Sequence, residues 1–225
     1  MTTATRTVSG RQWFIVGRWQ EYEGESRANL LRIVAVGAFY VVELLRFYVF
    51  EKANPEQMPF HRQATMVAVA WTMVALAIML CLRGRIFPAA LKYVSTACDI
   101  LLLTALAALN APGPFSPLVL GYFLIIAMAA LRFSLGLVWF ATLASMIGYW
   151  SLVGLIDKKW FDADHAVPPA RQLVTLLSLG LTGVVIGQVV RRVKGVASEY
   201  AQRLAAARDL TQRHGGTEGE GIRDG

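Results

Sequence analysis

The sequence predicts an all-α polytopic membrane protein: six transmembrane helices in a bundle, both termini cytoplasmic, and a helical extension after the last span. Three observations carry this. Hydrophobic residues make up 56% of the 225 and charged residues only 16%, with a mean hydropathy of +0.48, too apolar for a soluble domain of this length. Six apolar runs meet or approach the roughly 20 residues that a helix needs to cross about 30 Å of hydrocarbon. Lys and Arg gather in alternate connections, as they do on the side of a membrane where loops are not translocated.

Before the first run, residues 1–27 form a cytoplasmic segment in which Trp13, Phe14, Trp19 and Tyr22 mix with Arg and Glu. Amphipathic rings beside basic groups suit the headgroup layer, so an interfacial segment is expected here. The first span, 28–50, is full length and lacks a small-residue cleavage site, so it reads as a retained helix and not as a signal peptide. It contains Glu43 and Arg46 three residues apart, on one face and in its outer half. Arg46 is near enough to the surface to snorkel. Glu43 is short and leans inward, so it needs a proton or a cation, and Arg46 is the nearest cation.

The second and third spans are expected at 64–82 and 88–110. The third carries Lys92, Ser95, Thr96 and Asp99 at three- and four-residue spacing, a polar stripe on an apolar cylinder. Asp99 lies about 16 Å from the inner end and so close to the midplane, the costliest residue in the chain. Its depth and that of Glu43 differ by about 6 Å, so Glu43, Arg46 and Asp99 form a candidate intramembrane polar cluster. Hydrogen bonding of Asp99 to Thr142 or Ser145, gluing two helices, is the plainer alternative. A carboxyl at that depth is also a candidate proton or ligand sensor.

The fourth run, 116–131, is short, about 24 Å as a helix; it is a short span, a tilted span completed by Arg132, or a re-entrant segment. Parity favours a crossing. Arg6, Arg11, Arg18 and Arg27 precede span 1, Arg83 and Arg85 follow span 2, Arg132 follows span 4, and Arg191, Arg192 and Lys194 follow span 6. Both ends then lie inside, which needs an even number. The net charge of +7 is accounted for by that rule and an anionic inner leaflet, with no nucleic acid required.

The fifth span is 134–156 and the sixth 172–190. The sixth shows Thr175, Ser178 and Thr182 on one side and Gly180, Gly183 and Gly187 on another, candidate helix-packing surfaces because small residues let backbones approach and hydroxyls bond across helices. Beyond it, 191–213 is a cytoplasmic helix in which Val193, Ala197, Tyr200, Leu204 and Ala207 follow a 4-3-4-3 spacing. That seam is read either as a short coiled coil, giving a homodimer, or as an amphipathic helix lying on the bilayer or on a protein partner. Residues 214–225 are Gly-rich and charged, a disordered tail.

Chemistry-bearing motifs are sparse. Cys81 and Cys98 fall in spans without CxxC spacing, and no span carries the facing histidines of a b-type haem. His165 with Asp162 and Asp164 is better read as a solvated loop than as a metal site. There is no phosphate loop, dinucleotide fingerprint, nucleophile elbow or HExxH. No catalytic residue, cofactor or metal is expected, and no enzymatic activity.

The layout of six spans with short connections, a basic amino-terminal segment and a helix leaving span 6, together with LKYVSTACDILLLTALAAL at 91–109, resembles the six-helix membrane input modules of bacterial sensor kinases and nucleotide cyclases. The similarity covers Arg11 to His214. It implies a multi-pass protein of the bacterial inner membrane that senses a membrane or periplasmic signal and passes it through helix 6. In that family a catalytic effector follows; here a disordered tail is expected instead, which implies an effector in trans, or none. An accessory subunit of a respiratory or photosynthetic complex is the alternative, and a small transporter a third reading, disfavoured by the lack of an inverted repeat or paired broken spans.

Overall fold

The computed structural model describes the backbone of residues 4–50, 54–84, 88, 90–109, 113–156 and 167–217, and most side chains from Tyr22 to Arg203. All described regular structure is helical. The principal helices are α1 (Ala4–Leu45), α2 (Met58–Arg83), α3 (Leu91–Leu109), α4 (Leu120–Ala130), α5 (Leu135–Ile156) and α6 (Pro169–Thr217). Five stretches are long and apolar enough to cross a membrane: Tyr22–Phe50, Met58–Arg83, Leu91–Leu109, Leu135–Leu155 and Pro169–Arg203. The chain is a multi-pass membrane bundle whose outer apolar side chains meet lipid, as Leu30, Val42, Val69, Leu101, Ile147 and Leu173 do, each more than half exposed.

α1 starts far upstream of the expected span. The stretch from Ala4 contains good helix formers and no Pro, and Glu23 pairs with Arg27 one turn on. The amino-terminal segment is therefore the first part of one 42-residue helix. At its other end, Arg46–Phe50 forms a π-helical turn. α2 tolerates Pro59 because Pro in a first turn costs no intrahelical bond, and it stops at Gly84.

The hydrogen bonds fix the directions. Tyr40 meets Thr65 at 3.2 Å and Asn29 Nδ2 donates to Ala75 O at 3.1 Å, so α1 and α2 run antiparallel. Thr104 meets Tyr122 at 2.7 Å while Arg132, just past α4, reaches Lys92 O and Thr96, so α3 and α4 are antiparallel. Tyr93 packs edge-on to Phe140, and a Cβ on Gly148 would meet Thr104 and Ile100, so α3 and α5 are parallel.

α4 has 11 residues, about 17 Å, and does not cross hydrocarbon by itself. Its shortness is compatible with its surroundings. Gly121, Tyr122, Ile125, Ile126, Met128 and Ala129 are buried, and two 3-10 turns, Gly113–Phe115 and Pro117–Val119, lead into it. Ser116 caps the second turn, its Oγ accepting from Leu118 N. The inner surface of α5 lies at the centre of the core, with Leu137, Val138, Ala141, Tyr149 and Leu152 fully buried.

The chain divides into two compact units, Met1–Gly187 and Gln188–Gly225. In the second, Val193, Val196 and Tyr200 are exposed on helical backbone. The helix extends through Thr217, past the boundary expected at residue 213, so residues 214–217 are helical where a disordered tail was expected. The remainder of that tail, the side chains of Leu204 and Ala207, and the loop holding Asp162, Asp164 and His165 lie outside the described residues.

Candidate functional site

Asp99 sits on α3 where the polar stripe of that helix turns inward, and its partner is Arg32 of α1. Arg32 Nε donates to Asp99 Oδ1 and Nη2 to Oδ2, both at 2.7 Å, a bidentate fork. Both side chains are sealed, at 1% and 2% exposure. Trp71 of α2 donates its indole N–H to Asp99 Oδ1 at 2.8 Å. Arg32 Nη1 donates to Asn29 Oδ1 at 2.7 Å, and Asn29 passes the chain on to Ala75 O. One carboxylate thus ties α1, α2 and α3 together.

A second ion pair lies about two helical turns away along α1. Arg132 places Nε 2.8 Å from Glu25 Oε2 and donates from Nη2 to Glu25 Oε1 at 2.8 Å and to Ser95 Oγ at 3.0 Å. Its Nη1 donates to Thr96 Oγ1 at 2.6 Å and to Lys92 O at 3.0 Å. Burial pushes the Arg132 guanidinium below its ordinary value, while the Glu25 carboxylate pulls it back up. Two backbone features bring it inward. Phe133 takes a positive φ of 47° in the reversal between α4 and α5. Gly24 lets α1 close on that reversal, for a Cβ there would stand 3.0 Å from Leu131 O and 3.2 Å from Arg132 Cα.

Glu43 and Arg46 lie elsewhere, at the far end of α1. Arg46 Nη1 is 3.8 Å from Glu43 Oε2, Arg46 Nη2 donates to Gln57 Oε1 at 2.6 Å, and His61 Nδ1 is 3.7 Å from Glu43 Oε1. His61 stacks on Phe47 with ring centroids 4.2 Å apart. The expected three-membered cluster is therefore corrected: Glu43 and Arg46 are together, and Asp99 belongs to Arg32. Neither Thr142 nor Ser145 binds Asp99, since Thr142 donates to Val138 O and Ser145 Oγ is buried without a partner.

The α6 surfaces divide as well. Leu179, Gly183 and Gly187 are buried; a Cβ on Gly183 would overlap Thr142 of α5, and one on Gly187 would touch Leu135. Gly180 faces open space, so it is not part of that contact. Thr175 and Thr182 hydroxyls donate to Arg171 O and Ser178 O of their own helix and make no interhelical bond, and Ser178 is half-buried.

Between the Arg32 pair and the Glu43–Arg46 pair lies a cavity of about 300 Å³. Its walls come from α1, α2, α3 and α4, and Phe39, Trp71, Leu103, Gly121 and Ile125 show its apolar character. Arg32 stands at one end, Glu43 and Arg46 at the other. α1 rises about 21 Å between those ends. Among the described residues, no group of three or more His, Cys, Asp or Glu is placed to hold a metal ion.

The stripe on α3 and the Glu43–Arg46 spacing were readable in the sequence; Arg32, Glu25, Asn29, Trp71 and the inward role of Arg132 were missed. The signal was the 4-3 spacing of Glu25, Asn29 and Arg32, which puts all three on one face of α1. Comparison with models of known families, characterised proteins and solved structures returned no match.

Proposed function

We propose that the chain is a non-enzymatic membrane sensor or adaptor module, with both termini cytoplasmic in a bacterial inner membrane. The cavity between the two charged ends receives the signal, and α6 hands it to a cytoplasmic partner. The observation that carries this reading is the pairing of the cavity with a locked polar network. Arg32 and Asp99 are engaged with each other, which suits binding better than proton transfer or group transfer. A contiguous route leads from the cavity wall to α6: Leu103 lines the cavity, its neighbour Thr104 faces Gly148 of α5, and Thr142 of α5 faces Gly183 of α6.

A nitroxide on Ser198, exposed in the second unit, tests the coupling. Narrowing the cavity by Ala35→Phe is expected to alter the spin-label mobility in reconstituted protein, and an unchanged spectrum sinks the sensor reading. The second reading, an accessory subunit of a respiratory or photosynthetic complex, is favoured by the apolar outer face of α1, where Leu30, Val34, Val41 and Val42 are exposed. Co-isolation with redox subunits at fixed ratio in mild detergent would decide for it.

A further inference from the structure

We propose that the cavity holds one acyl chain of a zwitterionic phospholipid whose headgroup carries a primary ammonium, the ammonium against Glu43 and the phosphate against Arg46. The proposal deepens the sensor reading and rests on it only in taking this cavity as the input site.

The apolar body of the cavity suits a hydrocarbon chain. Along α1 its lining runs from Arg32 to Arg46, about 21 Å of helix rise against the ~15 Å depth of one leaflet, so an extended chain can lie along the bundle. Small residues make the room: Ala35 on α1, and Ala64 and Ala68 on α2. Gly121 of α4 is buried, and a Cβ there would run into the Leu103 side chain, so the wall between α3 and α4 is already close-packed. The deep end offers no free charge, because Arg32 is forked onto Asp99; a terminal methyl meets the aliphatic and indole surface beside it without stranding a polar group.

The headgroup end distinguishes among lipids. Glu43 and Arg46 line the same end of the cavity and stand 3.8 Å apart, 15% and 35% exposed. An acid and a base side by side complement a headgroup that bears both signs. A purely anionic headgroup would satisfy Arg46 but set a second negative charge beside Glu43. A quaternary ammonium has no N–H to donate to the carboxylate, whereas a primary ammonium has three. His61, 3.7 Å from Glu43 and stacked on Phe47, is the other titratable group facing that carboxylate, and Gln57 and Phe60 hold Arg46 from α2 and the turn before it. A π-helical turn, Arg46–Phe50, begins at Arg46, one turn after Glu43.

Trp71 supplies the probe, since it lines the cavity. The full chain keeping Trp71 alone, with Trp13, Trp19, Trp139, Trp150 and Trp160 replaced by Phe, is reconstituted in phosphatidylcholine nanodiscs. Phospholipids brominated on the acyl chain, with ethanolamine, glycerol or choline headgroups, are titrated in. The expected result is saturable quenching by the ethanolamine lipid at a mole fraction about tenfold lower than for the other two, the effect of one charge-assisted hydrogen bond. Ala35→Phe and Ala68→Phe are each expected to remove the saturable component. Glu43→Gln, at the rim and remote from core packing, is expected to bring the ethanolamine lipid to the level of choline. Equal quenching by all three headgroups overturns the headgroup assignment, and saturable quenching that survives both Phe variants overturns the cavity. Binding is read here without reference to α6, so a lipid site with no response at Ser198 would refute the sensor and leave the site standing.

Discussion

Arg32 and Asp99 show how an ion pair is made tolerable in hydrocarbon: two short bonds at 2.7 Å, one to each carboxylate oxygen, with Asn29 and Trp71 taking further polar capacity. Removing one partner leaves the other charge buried and bare. Asp99→Ala is expected to lower unfolding stability in detergent by about 3–5 kcal/mol, whereas the double variant Arg32→Met with Asp99→Leu recovers most of the loss. Equal losses from single and double variants would show that the pair is not the unit. Gly24 makes a second prediction. The atoms that a Cβ would meet are backbone, unable to swing aside, so Gly24→Ala is expected to cost about 1–3 kcal/mol by prising Glu25 from Arg132, measured by the same unfolding assay. At this scale the sequence marked Asp99 as a residue requiring a partner but not which partner. Spacing reports residues that share a face of one helix, as Glu43 and Arg46 do; it carries no information on how far each neighbouring helix is rotated about its axis. Arg32 also sits inside an apolar run, where a charge count over loops passes it by.

Element by element, five of the six apolar runs correspond to helices long enough to cross a membrane, because hydrocarbon thickness sets their length, while the fourth gives only the short α4. Their ends were less legible. α1 begins some six turns before its apolar run, since nothing in the polar stretch breaks a helix, and α6 likewise continues through Thr217. The glycines of α6 were readable as a set, but the structure separates them: Gly183 and Gly187 face α5, and Gly180 faces open space. Gly183→Leu is accordingly expected to destabilise by about 1–3 kcal/mol through its collision with Thr142. Gly180→Ala is expected to be neutral or to stabilise by about 0.5–1 kcal/mol, because only the glycine's helix-weakening entropy is removed. Thermal melting of the two variants side by side checks the contrast, and a Gly180 variant as damaged as Gly183 would contradict the packing.

For the molecule as a whole, five helices are long and apolar enough to cross a membrane and α4 is short; the proposed orientation, with both termini inside, comes from the basic residues of alternate connections. With Cys81 and Cys98 replaced, a single cysteine at Asn54 is expected to react with an impermeant maleimide added to intact cells. Cysteines at Gly84, Phe133 and Ser198 are expected to react only after permeabilisation; labelling of Ser198 from outside would overturn the proposed orientation. The bundle's overall class was legible because composition alone selects lipid as solvent. The cavity was not, because it depends on where four helices fail to touch. The long sequence separations of the ion pairs bear on how the protein is made. Asp99 lies 67 residues after Arg32, and Arg132 lies 107 after Glu25. While the ribosome is still delivering the later helices, Glu25 and Arg32 of α1 lack the mates that α3 and the turn after α4 will bring, so that face is expected to need shelter until Arg132 emerges. A nascent chain stalled before Arg132 would present quality-control proteases with an orphaned acid, a built-in mark of incompleteness.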